Sequence, residues 1–307
     1  MKKIFSLVML YLTTFVNNSS SQSIDGVNLE DLFLEAAGTL KPRIKTIELS
    51  TKVKLEYAEQ GNHDGIPVIF LHGITDSWHS FETVLTKLPA SIHAFALTQR
   101  GHGNSSKPDN EYSPGNFSSD VAAFINQKKL GSVFIVGHSM GGVNAQQFAL
   151  DHPQLIRGVV IVGSDPSFRN NPVVPEVYQE VLKLEGTNDK KFMEEFQRST
   201  LVKPIDSAYF NLFVAEGLKT PARVFKAAFR GIMEVDFTEE LKKIKAPVLI
   251  LWGAEDVICI RKGQDTMKQN IKNSKLLVYE ATGHALHWEQ PERFTKDLLD
   301  FINTNNF

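Results

Sequence analysis

The sequence predicts an α/β protein: a mostly parallel central sheet, helices on both of its faces, and a helical stretch inserted late in the sheet. Three observations lead there. Short apolar runs of the fully buried type alternate with stretches of helical periodicity. One such run ends directly in the glycine-flanked serine turn Gly137-His138-Ser139-Met140-Gly141, which opens a helix. From Asp165 to about Asp236 the alternation stops and only helical periodicity continues.

In chain order, Ile44–Leu49 and Lys52–Ala58 read as a strand pair, and Ile66–Leu71 as a buried strand ending in His72-Gly73. Trp78–Leu88 reads as a helix and Ile92–Leu97 as a strand. Phe117–Gln127 is helical, with Asp120 near its first turn. Ser132–Val136 is a strand, Gly142–His152 a helix, and Leu155–Val162 a strand. Strand character resumes at Pro247–Trp252 and again at Lys275–Tyr279. A helix near Lys262–Asn270 lies between these two strands, and a closing helix runs from Pro291 to Phe301. The expected organisation is therefore a core of residues 23–164 and 237–307 with a helical cap of residues 165–236.

The first 22 residues read as a secretory signal peptide. Lys2 and Lys3 precede an apolar run, Ile4–Val16, that is too short for a comfortable membrane span and is followed by small polar residues. Export to the periplasm or the extracellular space is the expectation, with no stable membrane span after cleavage. The 307 residues are 42% hydrophobic and 22% charged, with a net charge of -2 and a pI near 6.5. That balance suits a sizeable core and gives no electrostatic reason to expect nucleic acid as a partner. The single cysteine, Cys259, rules out an internal disulfide and sits in an apolar run, where an inert buried thiol is expected.

The chemistry centres on Ser139. A serine hydroxyl is a weak nucleophile and needs exposure and a neighbouring base. A sharp strand-to-helix turn exposes it, and glycines two positions either side leave room for the tight backbone. Met140 then stands at a helix start, where unpaired amides and the helix dipole favour an anion.

With this turn in its strand–helix context, the chain resembles the α/β-hydrolase fold superfamily, in the subset with a helical cap, from about residue 44 to residue 303. The resemblance implies a triad in the chain order Ser139, Asp256, His284. Asp256 closes the run Gly253-Ala254-Glu255-Asp256, and His284 follows Thr282-Gly283. Asp165 is a second candidate for the acid. The loop His72-Gly73-Ile74 implies that the backbone amides of Ile74 and Met140 form the oxyanion hole, with His72 bracing the loop. Trp78, Phe81 and Phe213 are candidate pocket residues. Arg100 and His102 are expected to hold their loop together, and Thr98 departs from the acidic residue often found there in the family. His287 is read as structural. No metal, nucleotide or flavin motif is present, and no cofactor is expected.

A serine at the nucleophile position argues against haloalkane dehalogenases and epoxide hydrolases of this fold, which use a carboxylate there. The expected function is a serine hydrolase acting through an acyl-enzyme on a small carboxylic ester or lactone. Carbon–carbon bond hydrolysis and a proline-iminopeptidase-like aminopeptidase use the same residue types. The aminopeptidase would need cap carboxylates such as Glu176, Glu180, Glu194, Glu195 or Glu216. Perhydrolysis of the serine-haloperoxidase kind is a side activity open to the same residues, and a slow or non-catalytic ligand receptor is the reading from another class. The cap aromatics Phe168, Tyr178, Phe192, Phe196, Tyr209, Phe210, Phe213, Phe225 and Phe229 divide between core and pocket in a way that periodicity does not resolve.

Overall fold

A computed structural model describes residues 23–24, 27–28, 41–169, 171–186 and 189–306. The expected signal segment, residues 1–22, lies outside the described residues. Contacts group Met1–Lys41 as one unit and Pro42–Phe307 as another. In the first, Ser23–Ile24 pairs antiparallel with Val27–Asn28.

The second unit is built on eight strands: β1 (Arg43–Glu48), β2 (Lys54–Gln60), β3 (Ile66–Leu71), β4 (Ile92–Leu97), β5 (Val133–His138), β6 (Ile156–Val162), β7 (Val248–Gly253) and β8 (Ser274–Tyr279). Their order in the sheet is β8-β7-β6-β5-β3-β4-β2-β1. From β8 to β4 every pairing is parallel, and β2 joins β4 and β1 antiparallel. This is the mostly parallel sheet expected from the apolar runs. Strand β1 is largely exposed at the sheet edge, whereas every residue of β4, β5 and β7 is buried.

Successive side chains of the central strands go to opposite faces, as the two-residue strand period requires. Ile69, Leu71, Ile135, Val159, Ile161 and Ile250 join one apolar cluster with the helices α2 (Pro114–Lys128) and α3 (Met140–Asp151). Val68, Phe70, Phe134, Val136, Val160 and Leu251 join the other. That second face is covered by the turn Trp78–Phe81 with α1 (Glu82–Leu85), and by Phe294, Leu298 and Ile302 of the closing helix. A strand buried on both faces needs no polar alternation, so these runs read as continuous apolar segments.

The helix boundaries follow local chemistry. Helix α2 begins at Pro114, after Ser113, whose hydroxyl and the Asn116 side chain cap each other's backbone amides. The helix thus starts three residues before the periodicity suggests, because the capping turn carries no apolar signal. Among the described residues, four α-helices stand between β6 and β7 in the stretch expected to form the cap: α4 (Val174–Lys183), α5 (Lys190–Ser199), α6 (Ser207–Leu218) and α7 (Ala222–Glu234). Asp189 and Asp206 cap α5 and α6. After β7 come α8 (Arg261–Asn270), α9 (Leu286–Glu289) and α10 (Pro291–Asn305). Among the described residues, no helix is long and apolar enough to cross a membrane.

Candidate active site

Strand β5 ends at His138 and α3 starts at Met140, so Ser139 alone makes the turn between them. Its backbone sits at φ 52° and ψ -118°, a conformation that costs a non-glycine residue energy. The turn is held by the Ser139 amide donating to Val162 O at 3.0 Å and by Ser164 Oγ donating to Ser139 O at 2.9 Å. Its glycines are steric necessities. A Cβ on Gly137 would lie 2.2 Å from Gly141 O, and one on Gly141 would lie 2.1 Å from Leu71 O.

His284 follows β8 and the loop Thr282-Gly283. Its Nδ1 lies 2.9 Å from Asp256 Oδ2, and both side chains are buried. The carboxylate accepts from Nδ1, which leaves Nε2 free to accept a proton. Asp256 is itself fixed, since its Oδ1 accepts from the amides of Ile258 at 2.8 Å and Cys259 at 2.9 Å. Asp165, the second candidate for the acid, is placed differently. It receives Asn171 Nδ2 and Gln264 Nε2, each at 3.3 Å, and lies over Gly263, whose Cβ would stand 1.5 Å from Asp165 Oδ1. Burial, and then the nearby Asp256 charge, push its carboxyl up to about 7. Cys259 is buried against Gly163 O, and desolvation drives its thiol far up, which keeps it inert.

The oxyanion-loop residue His72 donates from Nδ1 to Gly73 O at 2.7 Å and accepts the Gln99 amide at Nε2 at 2.9 Å. Burial holds it far below the usual histidine range, as a neutral ring needs for that bonding. Gln99 also bonds His72 O and receives Asn144 of α3 at 2.8 Å, so one side chain ties the Ile74 loop to the helix that follows Ser139. Thr98 has its own task in place of an acid: its hydroxyl accepts the Trp78 amide at 3.2 Å. Arg100 makes a buried two-pronged contact with Asp120, both bonds at 2.7 Å, and His102 packs edge-on against His72.

Ser139, His284, His138, Gly73 and Ile74 line one cavity of about 310 Å³. The cap supplies much of its wall: Val174 and Val177 of α4, Phe192 and Phe196 of α5, Phe229 and Ile232 of α7, with Phe168 preceding them. Four cap aromatics are thereby assigned to the cavity, while Tyr178 stacks behind Phe229 and Phe225 packs behind Phe196. The three aromatics expected at the pocket lie elsewhere. Phe81 is fully buried among Phe70, His287 and Phe294, because its turn points into the sheet face. Trp78 is buried on the same side and stacks on His79. Phe213 stacks on the outer side of Trp288 at 4.0 Å, and Trp288 is the ring that reaches the cavity.

One cavity residue belongs to none of the motifs that mark Ser139, Asp256, His284 or Ile74. Asp76, two residues beyond Ile74, is 3% exposed and lines the same space. Its Oδ1 accepts from Gln197 Nε2 of α5 at 3.0 Å and its Oδ2 from Ser80 Oγ at 3.4 Å. Burial pushes its carboxyl up to about 7, against the pull of those bonds and of nearby His284. Ser80 also bonds His287 Nε2 at 3.1 Å and receives Trp288 Nε1, so His287 belongs to this bracing network. Asp256, Cys259 and His284 place potential ligand atoms within 4.8 Å of one another. The Asp256–His284 bond and the inert thiol account for that grouping without an ion.

A family model described as alpha/beta hydrolase fold matches residues 66–291. A 2-(acetamidomethylene)succinate hydrolase from Mesorhizobium japonicum is 34% identical over 267 residues, covering 82% of this chain and 92% of the relative. A bifunctional esterase/perhydrolase from Acinetobacter calcoaceticus is 28% identical over 272 residues, covering 82% and 96%. Among solved structures, an esterase from Exiguobacterium antarcticum superimposes with a TM-score of 0.77 over 84% of this chain and 99% of its own. At 23% identity that likeness speaks for the fold alone.

Proposed function

The chain belongs to the α/β-hydrolase fold family and is a hydrolase, and from that premise we propose that it cleaves small carboxylic esters or lactones through an acyl-enzyme on Ser139. One observation carries the reading: Ser139 stands on a strained, glycine-flanked turn and shares an apolar cavity with His284, whose far nitrogen is fixed by Asp256.

In this mechanism Ser139 Oγ attacks the carbonyl carbon and its proton passes to His284 Nε2. The carbonyl oxygen becomes negative and is received by the amides of Ile74 and Met140. Collapse expels the alcohol, which takes the proton from Nε2 and leaves an ester on Ser139. Water then gives a proton to Nε2 as its oxygen attacks that ester. The carboxylic acid departs and Ser139 regains its proton. The buried Asp256 carboxylate holds the imidazole tautomer and stabilises its charged form in both halves.

Hydrolysis of p-nitrophenyl butyrate, with an initial burst of nitrophenol, is the expected result, and Ser139→Ala abolishes both. A panel of short acyl esters, lactones, amino-acid arylamides and a diketone ring-cleavage product separates this reading from carbon–carbon hydrolysis and aminopeptidase action. Turnover of none of the esters or lactones sinks it. Ligand-induced stabilisation without turnover would favour a receptor.

Export is a separate proposal, supported by the Lys2-Lys3 start and the apolar run to Val16. Fractionation of cells expressing the full chain should recover it outside the cytoplasm with residues 1–22 removed. Recovery of the uncleaved chain in the cytoplasm contradicts this.

A further inference from the structure

The active-site cavity has a one-sided charge. Among the described residues that line it, Asp76, Glu180 and Glu195 are acidic, and none is lysine or arginine. The two glutamates belong to the exposed surfaces of α4 and α5 and have lysine partners there, Lys183 at 2.6 Å and Lys191 at 3.8 Å. Asp76 is different. It is buried beside the reacting groups, and its hydrogen-bond partners, Gln197 and Ser80, are neutral donors that are themselves only 1% exposed.

A buried carboxyl without a cationic partner costs free energy in any folded protein. A core position would normally replace it with an amide or an apolar residue. Here the residue lines a substrate-sized space whose remaining wall is mostly apolar. It is held by one bond from the oxyanion-loop side and one from the cap, so its direction is fixed from two elements. A buried acid facing a cavity is completed by a cation and repelled by an anion.

We propose that Asp76 determines specificity in this cavity by pairing with a protonated amine on the substrate, so that the enzyme prefers amine-bearing acyl or alkyl groups over neutral ones and rejects carboxylates. The inference rests on the ester-hydrolase reading and adds the substrate class to it. It also separates this chain from its 2-(acetamidomethylene)succinate hydrolase relative. That relative's name denotes a succinate, and this cavity offers no lysine or arginine, among the described residues, to receive a second carboxylate.

The test is a binding order that does not depend on turnover. The wild-type protein is titrated calorimetrically at pH 8 with 4-phenylbutylamine, 4-phenyl-1-butanol and 4-phenylbutyrate, three probes of one skeleton and different charge. The amine should bind at least about tenfold more tightly than the alcohol, and the carboxylate most weakly. Asp76→Asn should reduce the amine's advantage over the alcohol to less than about threefold, since it keeps the shape and removes the charge. Equal or tighter binding of the alcohol in the wild type overturns the proposal, as does failure of all three to bind. An amine preference that survives in Asp76→Asn also overturns it, because the cation is then held at the rim. The wild-type order stands as a test even if that variant does not fold. Hydrolysis of p-nitrophenyl butyrate with a flat binding order removes only this inference. A clear amine preference without ester turnover removes the ester reading and leaves the cation site.

Discussion

Asp256 Oδ2 lies 2.9 Å from His284 Nδ1, while Asp256 Oδ1 is occupied by two backbone amides of the loop that follows it. The acid is therefore aimed by its own loop before it aims the histidine. Asp256→Asn keeps the shape but offers an amide where the imidazole needs an acceptor, which favours the wrong tautomer. The expected loss in kcat is about 10⁴-fold with little change in thermal stability. Asp165→Asn, at a carboxyl bonded to Asn171 and Gln264, should cost less than about tenfold. Steady-state kinetics on p-nitrophenyl butyrate compares the two. An equal loss in both would make Asp165 a partner in the triad.

The elbow glycines make a steric prediction. Gly141→Ala places a methyl 2.1 Å from a backbone oxygen that no side-chain rotation can move. The helix start must shift, and with it the Met140 amide. Activity should fall by at least about 10²-fold, the scale of one lost oxyanion donor, and the melting temperature should fall with it. Near-wild-type activity in Gly141→Ala would mean that the turn tolerates a looser geometry than the one described.

Ser139, Asp256 and His284, the proposed nucleophile, acid and base, stood out as motifs because each follows the end of a strand, and strand ends are marked by local composition. The sheet was legible for the same reason: β5 and β7 are buried on both faces and read as unbroken apolar runs. The cavity was not legible. Much of its wall comes from α4, α5 and α7, whose apolar faces point either at the cavity or at each other with the same periodicity. Phe229 and Phe225 lie on one helix four residues apart, yet only Phe229 lines the cavity. Trp78 and Phe81 follow the oxyanion loop in sequence, but the turn that carries them faces the sheet. Asp76 acquires its meaning from Gln197, 121 residues away. Its place in Ile74-Thr75-Asp76-Ser77 was the one local hint, an acid two residues beyond the proposed oxyanion-hole residue Ile74.

Arg100 and Asp120 make a second structural prediction. Both are buried, and Asp120 also accepts from Thr51 Oγ1 at 2.6 Å. Arg100→Met strands the carboxylate and should cost about 3–5 kcal/mol in urea unfolding, whereas the double variant Arg100→Met with Asp120→Leu should recover most of that loss. Arg100→Lys should rescue poorly, because a single ammonium does not reproduce the two-pronged contact. Loss of less than 1 kcal/mol in Arg100→Met, an order-of-magnitude threshold set by exposed ion pairs, would contradict this.

The raised carboxyl of Asp76 predicts a pH dependence of stability. Its ordinary value is 3.8 and its folded value about 7, so between them the folded state binds more protons than the unfolded state. Stability from this group is complete below the lower value and is lost as the pH rises through the upper one. Asp165 acts with the same sign. Glu59 acts with the opposite sign: burial would raise it, but bonds from His93 and Lys45 and the nearby Lys128 charge prevail and hold it at about 2. Its contribution is present above its ordinary range and is lost only as the pH falls toward 2. Asp76→Asn should therefore unfold at a higher urea concentration relative to wild type at pH 8 than at pH 5. An offset that is the same at both pH values contradicts the placement of a titrating group there.

The proposed chemistry turns on acylation of Ser139. The most direct measurement is intact-protein mass spectrometry after rapid acid quench of the enzyme with p-nitrophenyl butyrate, followed by peptide mapping. One butyryl group should appear on the peptide carrying Ser139 and form within the burst, whereas His284→Ala should reach only a small fraction of that labelling in the same time because it acylates slowly. It should be absent from Ser139→Ala. Ester hydrolysis that continues at the wild-type rate in Ser139→Ala, or a butyryl group found on another residue, would exclude Ser139 as the acylated nucleophile.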